Sequence, residues 1–248
     1  MADIRLGITG QSGFIGSHLF RKAKISGGFI PQEFHRDFFE NHDDLKKFAD
    51  SCDVIVHLAG LSRHEDGEYL YRTNVELTEK LIRACSGSQK ILLGSTTHIG
   101  KELPYHASKR KSAELLEQYG NSAILLMANT FGPGSRPFYN SVVSTFCWMA
   151  ASGRAPERID DALLQLIYVD DLCSSILMAA KSPECGTIEI PHTHEIRLPE
   201  LWNKLKTWSE GGKSRITDTF EAELYTTFLS YRTLISLRNL QKGFMPPL

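Results

Sequence analysis

A chain of 248 residues, 42% hydrophobic and 23% charged, can bury a substantial core in a single α/β domain, and that balance excludes disorder, collagen and a disulfide miniprotein. Its 28 Lys plus Arg against 29 Asp plus Glu leave a formal charge of -1, so no overall field draws nucleic acid or anionic lipid, and an anionic ligand must be held by local groups. Apolar runs such as Ala123–Ala128 fall far short of the roughly 18 residues that span a bilayer, so no membrane insertion is expected.

The amino terminus, MADIRLGITG, carries an acid at its third position and no long apolar stretch, which argues against a secretory signal and for a cytoplasmic location. Cys52, Cys85, Cys147, Cys173 and Cys185 are odd in number and form no CxxC pair, so they read as reduced thiols.

In chain order, the strand-like run Ile4–Ile8 precedes a helical pattern over Phe14–Ile25. Phe29–His35 precedes Asp43–Asp50, Asp53–Ala59 precedes Glu68–Cys85, Lys90–Gly94 precedes Tyr105–Gly120, and Ala123–Ala128 ends the series. In the third helix Leu70, Val75, Leu77, Leu81 and Ile82 form the apolar stripe. Such alternation predicts a parallel sheet covered by helices. Beyond Asn129 the pattern loosens into a Gly/Pro loop, Phe131–Pro137. Helices follow near Val142–Ala151, after Asp170, near Leu198–Trp208 and near Thr219–Leu229. The longest linkers, Ser26–Gly28 and Glu210–Ser214, are short, so the chain reads as one compact unit: a dinucleotide core over 1–130 and a small substrate lobe over 131–248, interleaved with the last core elements.

Three places carry chemistry. Gly10, Gly13 and Gly16 follow the first strand and run into a helix, where small residues let backbone amides approach a pyrophosphate and the helix terminus favours the anion. Glycines so spaced also occur in ordinary turns; their place after the first strand favours the cradle. At the end of the second strand stand His35 and Arg36, where a cation accommodates the 2′-phosphate of NADP; Arg36 as a plain surface charge, or Asp37 serving NAD, remains open. Tyr105 and Lys109 share one helical face, so the ammonium is expected to bring the phenol's pKa down towards working pH. A packed ring beside a solvated lysine is the bland alternative, and the hydroxyls of GSTTHIG just upstream weigh against it.

Other residues invite plainer readings. His57 reads as a satisfied core histidine, and His192 and His194 lack further ligands, so no metal is assigned. Asp170 and Asp171 precede an apolar helix and suit its dipole. Phe146, Trp148, Tyr225 and Phe228 fill a core or cover a pocket.

Taken in order, TGQSGFIG, CDVIVHLAG, TNVELTEKL, LGSTT, YHASK, NTFGPG and IYVDDL resemble the extended short-chain dehydrogenase/reductases, the NAD-dependent epimerase/dehydratase family of nucleotide-sugar enzymes. The resemblance implies a Rossmann-type, doubly wound parallel sheet with a small C-terminal substrate-binding lobe. It implies Thr96 as catalytic hydroxyl, with Ser95 the alternative register, Tyr105 as acid/base and Lys109 as its electrostatic partner and ribose contact, both also touching the cofactor. Gly10, Ser12, Gly13, Phe14, Ile15, Gly16, Leu58, Ala59, Gly60 and Asn74 would hold or support the cofactor; Ser95, Thr97 and Asn129 would face the substrate. HLAGLSR, PFYNSVVSTFCWMA and LYTTFLSY further resemble the reductase half of CapF-type capsule and O-antigen enzymes. That implies NADPH, rather than NAD, and a 4-keto UDP-2-acetamido-2,6-dideoxy-hexose.

Two positions depart from related epimerases, Leu126 and the pair Leu164 and Gln165, where arginines often stand, so Arg136 becomes the candidate diphosphate ligand, with a solvated loop arginine as its alternative. Thr97 and His98 stand where a dehydratase carries an acid and base, which disfavours dehydration. A 4-epimerase with tightly held NAD and a non-catalytic dinucleotide sensor remain as alternatives. Related enzymes commonly dimerise through a four-helix interface, so a homodimer is expected. CapF-type chains usually continue into a cupin module, and this length leads to the expectation of ketoreduction without the accompanying C3 epimerase activity.

Overall fold

The computed structural model describes residues 2–212 and 216–243. Its elements, in chain order, are β1 (Ile4–Thr9), α1 (Phe14–Ile25), β2 (Phe29–Gln32), α2 (His42–Asp50), β3 (Val54–His57), α3 (Gly67–Ala84), β4 (Lys90–Thr96), α4 (Pro104–Tyr119) and β5 (Ser122–Met127). Then follow β6 (Asn129–Phe131), α5 (Val142–Ala151), β7 (Leu163–Tyr168), α6 (Val169–Lys181), β8 (Gly186–Ile190), β9 (His194–Arg197), α7 (Leu198–Ser209) and α8 (Thr219–Gly243). Two compact units emerge: Met1–Ala128 with Val169–Pro191, and Asn129–Tyr168 with His192–Leu248.

In the first unit six strands lie parallel in the order β2-β1-β3-β4-β5-β8. The central strands read as unbroken apolar runs because both faces are covered, and Val54–His57 is buried throughout. One face packs Ile55, Ile91 and Leu93 against Phe48, Leu81 and Leu116 of the helices, each contributing about 2 kcal/mol by leaving water. The order reverses between β1 and β3, the switch point beyond which ligands bind in open α/β sheets. Thr9 and His57 are register partners there, so the loops that follow them start side by side.

The second strand is shorter than the expected Phe29–His35. As an edge strand β2 tolerates Pro31, which has no N–H to give. Two residues past its end, the Phe34 N–H donates to Gln11 Oε1 (3.1 Å) instead of a ladder partner, and the ring packs edge-on to Phe39 and Phe48. A 3₁₀ turn, Arg36–Glu40, then leads to α2, whose first amides are capped by Asn41 Oδ1. Asp170 and Asp171 occupy the first turn of α6, where the helix dipole favours carboxylates, and Asp170 pairs with Lys22 of α1 at 2.5 Å. Lys90, buried at the start of β4, donates to the Ser182 and Glu184 carbonyls (2.6 Å each) and to that of Ala179 (3.4 Å), closing the C-terminus of α6.

In the second unit β6 and β7 run parallel and β9 joins β7 antiparallel. Phe131, Phe146, Trp202, Trp208 and Phe228 lie in its core, and the Tyr231 hydroxyl donates to the Ser135 carbonyl. The strands β6 to β9 were not anticipated from sequence, and α8 runs past the expected Leu229. The expected linker Glu210–Ser214 lies partly outside the described residues. Among the described residues no helix is long and apolar enough to cross a membrane.

Candidate active site

The loop between β1 and α1 is shaped by what its glycines exclude. Gly10 has φ +74°, a left-handed conformation, and a Cβ there would meet Ala59 N at 2.8 Å; at Gly16 it would meet the Gly10 oxygen at 2.2 Å. The loop therefore lies directly on the Leu58–Ala59 backbone, and α1 packs against the loop. The Gly13 N–H closes the turn onto Gly10 O (2.9 Å). Gly13 is also the N-cap of α1, with no side-chain cap and no acid in the first turn, so the unpaired first-turn amides favour an anion. Ser12 is exposed, and Phe14 and Ile15 are half-buried. The glycine cradle and uncapped terminus fit the pyrophosphate of a dinucleotide. Gln11, which sequence reasoning missed, ties this loop to the end of β2, its Nε2 donating to Glu33 and its Oε1 accepting from Phe34. His35 and Arg36, just beyond, are exposed.

Pro104 starts α4 and sets Tyr105 and Lys109 one turn apart. Lys109 is buried, and its Nζ donates to Gly94 O of β4 at 2.8 Å. Burial pushes this ammonium down to about 8. Tyr105 is half-buried, with the Lys109 nitrogen 5.9 Å from its ring centroid. The expected depression of the phenol is not found: burial pushes the Tyr105 pKa up, because loss of water penalises the phenolate. Gly94 leads directly to Ser95 and Thr96. Ser95 is buried with its hydroxyl unpartnered, whereas Thr96 is half-buried and its Oγ1 accepts from the His98 N–H (3.1 Å). Thr97 is exposed, its N–H on the Met127 carbonyl.

A buried polar chain joins these parts. Asn74 on α3 clamps the segment after β3, accepting the Leu61 N–H (2.6 Å) and donating to Leu61 O (2.8 Å) and Ser108 Oγ (3.0 Å). Ser108 in turn donates to Tyr105 O (2.7 Å). His57 Nδ1 lies 2.7 Å from Thr9 Oγ1 and its Nε2 lies 3.2 Å from Thr78 Oγ1, while Thr78 contacts Ser112 Oγ (2.9 Å). Full burial, with the Lys109 charge adding to it, pushes His57 down to about 3, so the ring is neutral at any working pH. Thr9, Thr78, Ser108 and Ser112 gave no signal in sequence, since isolated hydroxyls on helices and strands are common. Asn129 and Arg136 belong to the second unit, both exposed, with the Arg136 guanidinium 5.2 Å from the Tyr139 ring centroid. His194 there pairs with Glu223 at 2.9 Å.

The model of the NAD dependent epimerase/dehydratase family matches residues 6–190, and the chain belongs to that family. The UDP-2-acetamido-2,6-beta-L-arabino-hexul-4-ose reductase of Pseudomonas aeruginosa is 31% identical over 240 residues, covering 90% of this chain and 64% of that protein. The crystal structure of the capsular polysaccharide assembling protein CapF from Staphylococcus aureus superposes with a TM-score of 0.74 at 28% identity, over 92% of this chain and 65% of that one. The chain thus spans just under two thirds of the length of these two relatives. RMD from Pseudomonas aeruginosa, complexed with NADPH, has a TM-score of 0.79 at 20% identity over 92% of this chain and 99% of its own, a likeness of fold.

Proposed function

We propose that the chain is an NADPH-dependent reductase of a 4-keto nucleotide sugar, of the UDP-2-acetamido-2,6-dideoxy-hexos-4-ulose type, acting in capsule or O-antigen synthesis. The observation that carries this reading is the buried Lys109, tied to β4 two residues before Thr96 and one helical turn from Tyr105. A solvated lysine would need no such anchorage. The 31% identity to a reductase of a UDP-hexul-4-ose supports the substrate class.

NADPH, when bound, supplies hydride to a carbonyl carbon. Gly10, Ser12, Gly13, Phe14, Ile15 and Gly16 would hold its pyrophosphate, Leu58, Ala59 and Gly60 would border it, and His35 and Arg36 would meet the 2′-phosphate. Tyr105 gives its phenolic proton to the carbonyl oxygen, yielding the carbinol. Thr96 donates a hydrogen bond to the same oxygen, and Lys109 stabilises the phenolate left on Tyr105, offsetting the burial that raises its pKa. Ser95 and Thr97 are assigned to the substrate side, and Asn129 and Arg136, in the second unit, to the nucleotide portion. The reading includes a cytoplasmic homodimer.

The test is turnover. NADPH oxidation with a 4-keto UDP-sugar is expected in the wild type and absent in Tyr105→Phe, with cofactor affinity nearly unchanged. A wild type that binds NADPH yet reduces none of a panel of keto-sugar nucleotides supports the sensor reading instead. Full activity in the phenylalanine variant removes Tyr105 as the acid.

A further inference from the structure

Thr9 and His57 end the two strands that flank the switch point, and His57 is hydrogen-bonded on both ring nitrogens. The proton count fixes the tautomer. Asn74 O can only accept, and the Thr78 hydroxyl reaches it at 3.2 Å while also lying 2.9 Å from Ser112 Oγ. With the single Thr78 proton directed to either of these acceptors, the hydroxyl oxygen is left to accept from His57 Nε2–H. On the other side, Thr9 Oγ1 accepts the Ala59 N–H at 3.3 Å, leaving its own proton for Nδ1. With the proton on Nε2, both ring nitrogens and the hydroxyls of Thr9 and Thr78 all have partners. With the proton on Nδ1, Thr9 Oγ1 would have to accept from both Ala59 N–H and His57, and its own hydrogen would lose the Nδ1 acceptor.

From this chain of contacts we propose that His57, as its Nε2–H tautomer, is a positioning residue that sets α4, and with it Tyr105 and Lys109, against the glycine loop. The route has two branches, both ending on the face of α4 that carries those side chains. One runs from Thr78 to Ser112, three residues past Lys109. The other runs from α3 through Asn74 to Ser108, which holds the Tyr105 carbonyl. At its origin the ring bonds Thr9, the residue before Gly10, so the cofactor loop and the Tyr105 helix take their spacing from one side chain. Burial, with the Lys109 ammonium adding to it, keeps such a ring uncharged. The inference rests on the reading of Tyr105 and Lys109 as the reacting pair, but its geometry can be tested without substrate or cofactor.

Hydrogen exchange on the wild type, His57→Phe, His57→Gln and Thr78→Val is the experiment, with a long-range nitrogen-proton NMR spectrum of histidine-labelled wild type. The phenylalanine variant keeps ring volume but no donor, and its exchange over 104–112 is expected to rise about tenfold while Val142–Ala151 in the other unit is unchanged. Glutamine places a donor near Thr78 and should bring the rate back to within about threefold of wild type. Thr78→Val, which leaves the ring in place, should loosen α4 alone and serves if His57→Phe does not fold. The spectrum should show the proton on Nε2. Unchanged protection of α4, equal loss in both units, no rescue by glutamine, or a proton on Nδ1 would each overturn the proposal. None of these results depends on turnover, so failure of the reductase reading is scored separately.

Discussion

Lys109 Nζ lies 2.8 Å from the carbonyl oxygen of Gly94, so the one cation inside the Tyr105 turn of α4 is fastened to the strand that supplies Ser95 and Thr96. That fastening has a measurable pH signature. Burial brings the ammonium from its ordinary 10.5 down to about 8. Between those values the unfolded chain binds more protons than the folded one, so stability rises with pH across that window, by at most about 3 kcal/mol, and is flat with respect to this group below it. In urea denaturation, wild type should therefore gain on Lys109→Met between pH 7.5 and pH 10. A gap that does not change with pH would show that the ammonium is not buried.

Gly16→Ala forces a methyl to within 2.2 Å of the Gly10 oxygen, a backbone atom that cannot step aside. A cost of about 1–3 kcal/mol in stability is expected, together with a loss of dinucleotide affinity as the loop shifts. Gly27→Ala is the control, since a Cβ there meets nothing within 4 Å and should leave both quantities unchanged. Calorimetric titration with NADPH and thermal melts of both variants decide the point.

Arg36 and Glu33 carry opposite charges just past β2, where the proposed reading puts the adenosine end of the dinucleotide. Glu33, the first residue past β2, has its carboxylate on Gln11 Nε2 at 3.0 Å and near Lys24 at 3.6 Å, which partly neutralises it, while Arg36 is exposed three residues on. Arg36→Ala should weaken NADPH about tenfold, or 1.4 kcal/mol, and leave NADH unaffected. Equal losses for the two cofactors in fluorescence titration would exclude a 2′-phosphate contact.

Lys90→Met removes the donor shared by the carbonyls of Ala179, Ser182 and Glu184. Destabilisation of about 2 kcal/mol is expected, because those acceptors stay partly buried and the replacement cannot pair with them. A shifted urea midpoint with an unchanged slope is the expected observation; an unshifted midpoint means water replaces the ammonium at no cost.

The first five strands and four helices were legible because strand runs such as Ile4–Thr9 and helical stripes such as Leu70 to Leu81 carry distinct periods. Phe29–His35 was read too long because Phe34 is as apolar as a strand residue, yet its amide bonds Gln11 and its ring joins an aromatic cluster, neither of which leaves a local mark. The strands β6 to β9 escaped for a related reason: Asn129–Phe131 has three residues, and Gly186–Ile190 is an edge with only Ile190 buried. At the site, the glycines, Tyr105 and Lys109 stand in recognisable spacings. The partners of His57 do not, since Thr9 is 48 residues away and Thr78 is 21.

The pairing of β5 with β8 has a consequence for synthesis. Ala123–Met127 lines up with Gly186–Ile190, yet the chain between them first supplies β6, α5 and β7 of the other unit. While the ribosome makes that stretch, β5, whose sequence Ala123–Met127 is Ala, Ile, Leu, Leu and Met, stands as an unpaired apolar edge, the kind of surface that recruits foreign strands. A fragment ending at Ala128 would keep that edge open permanently. It should therefore precipitate when expressed alone, and a separately supplied segment covering 169–191 should keep it in solution.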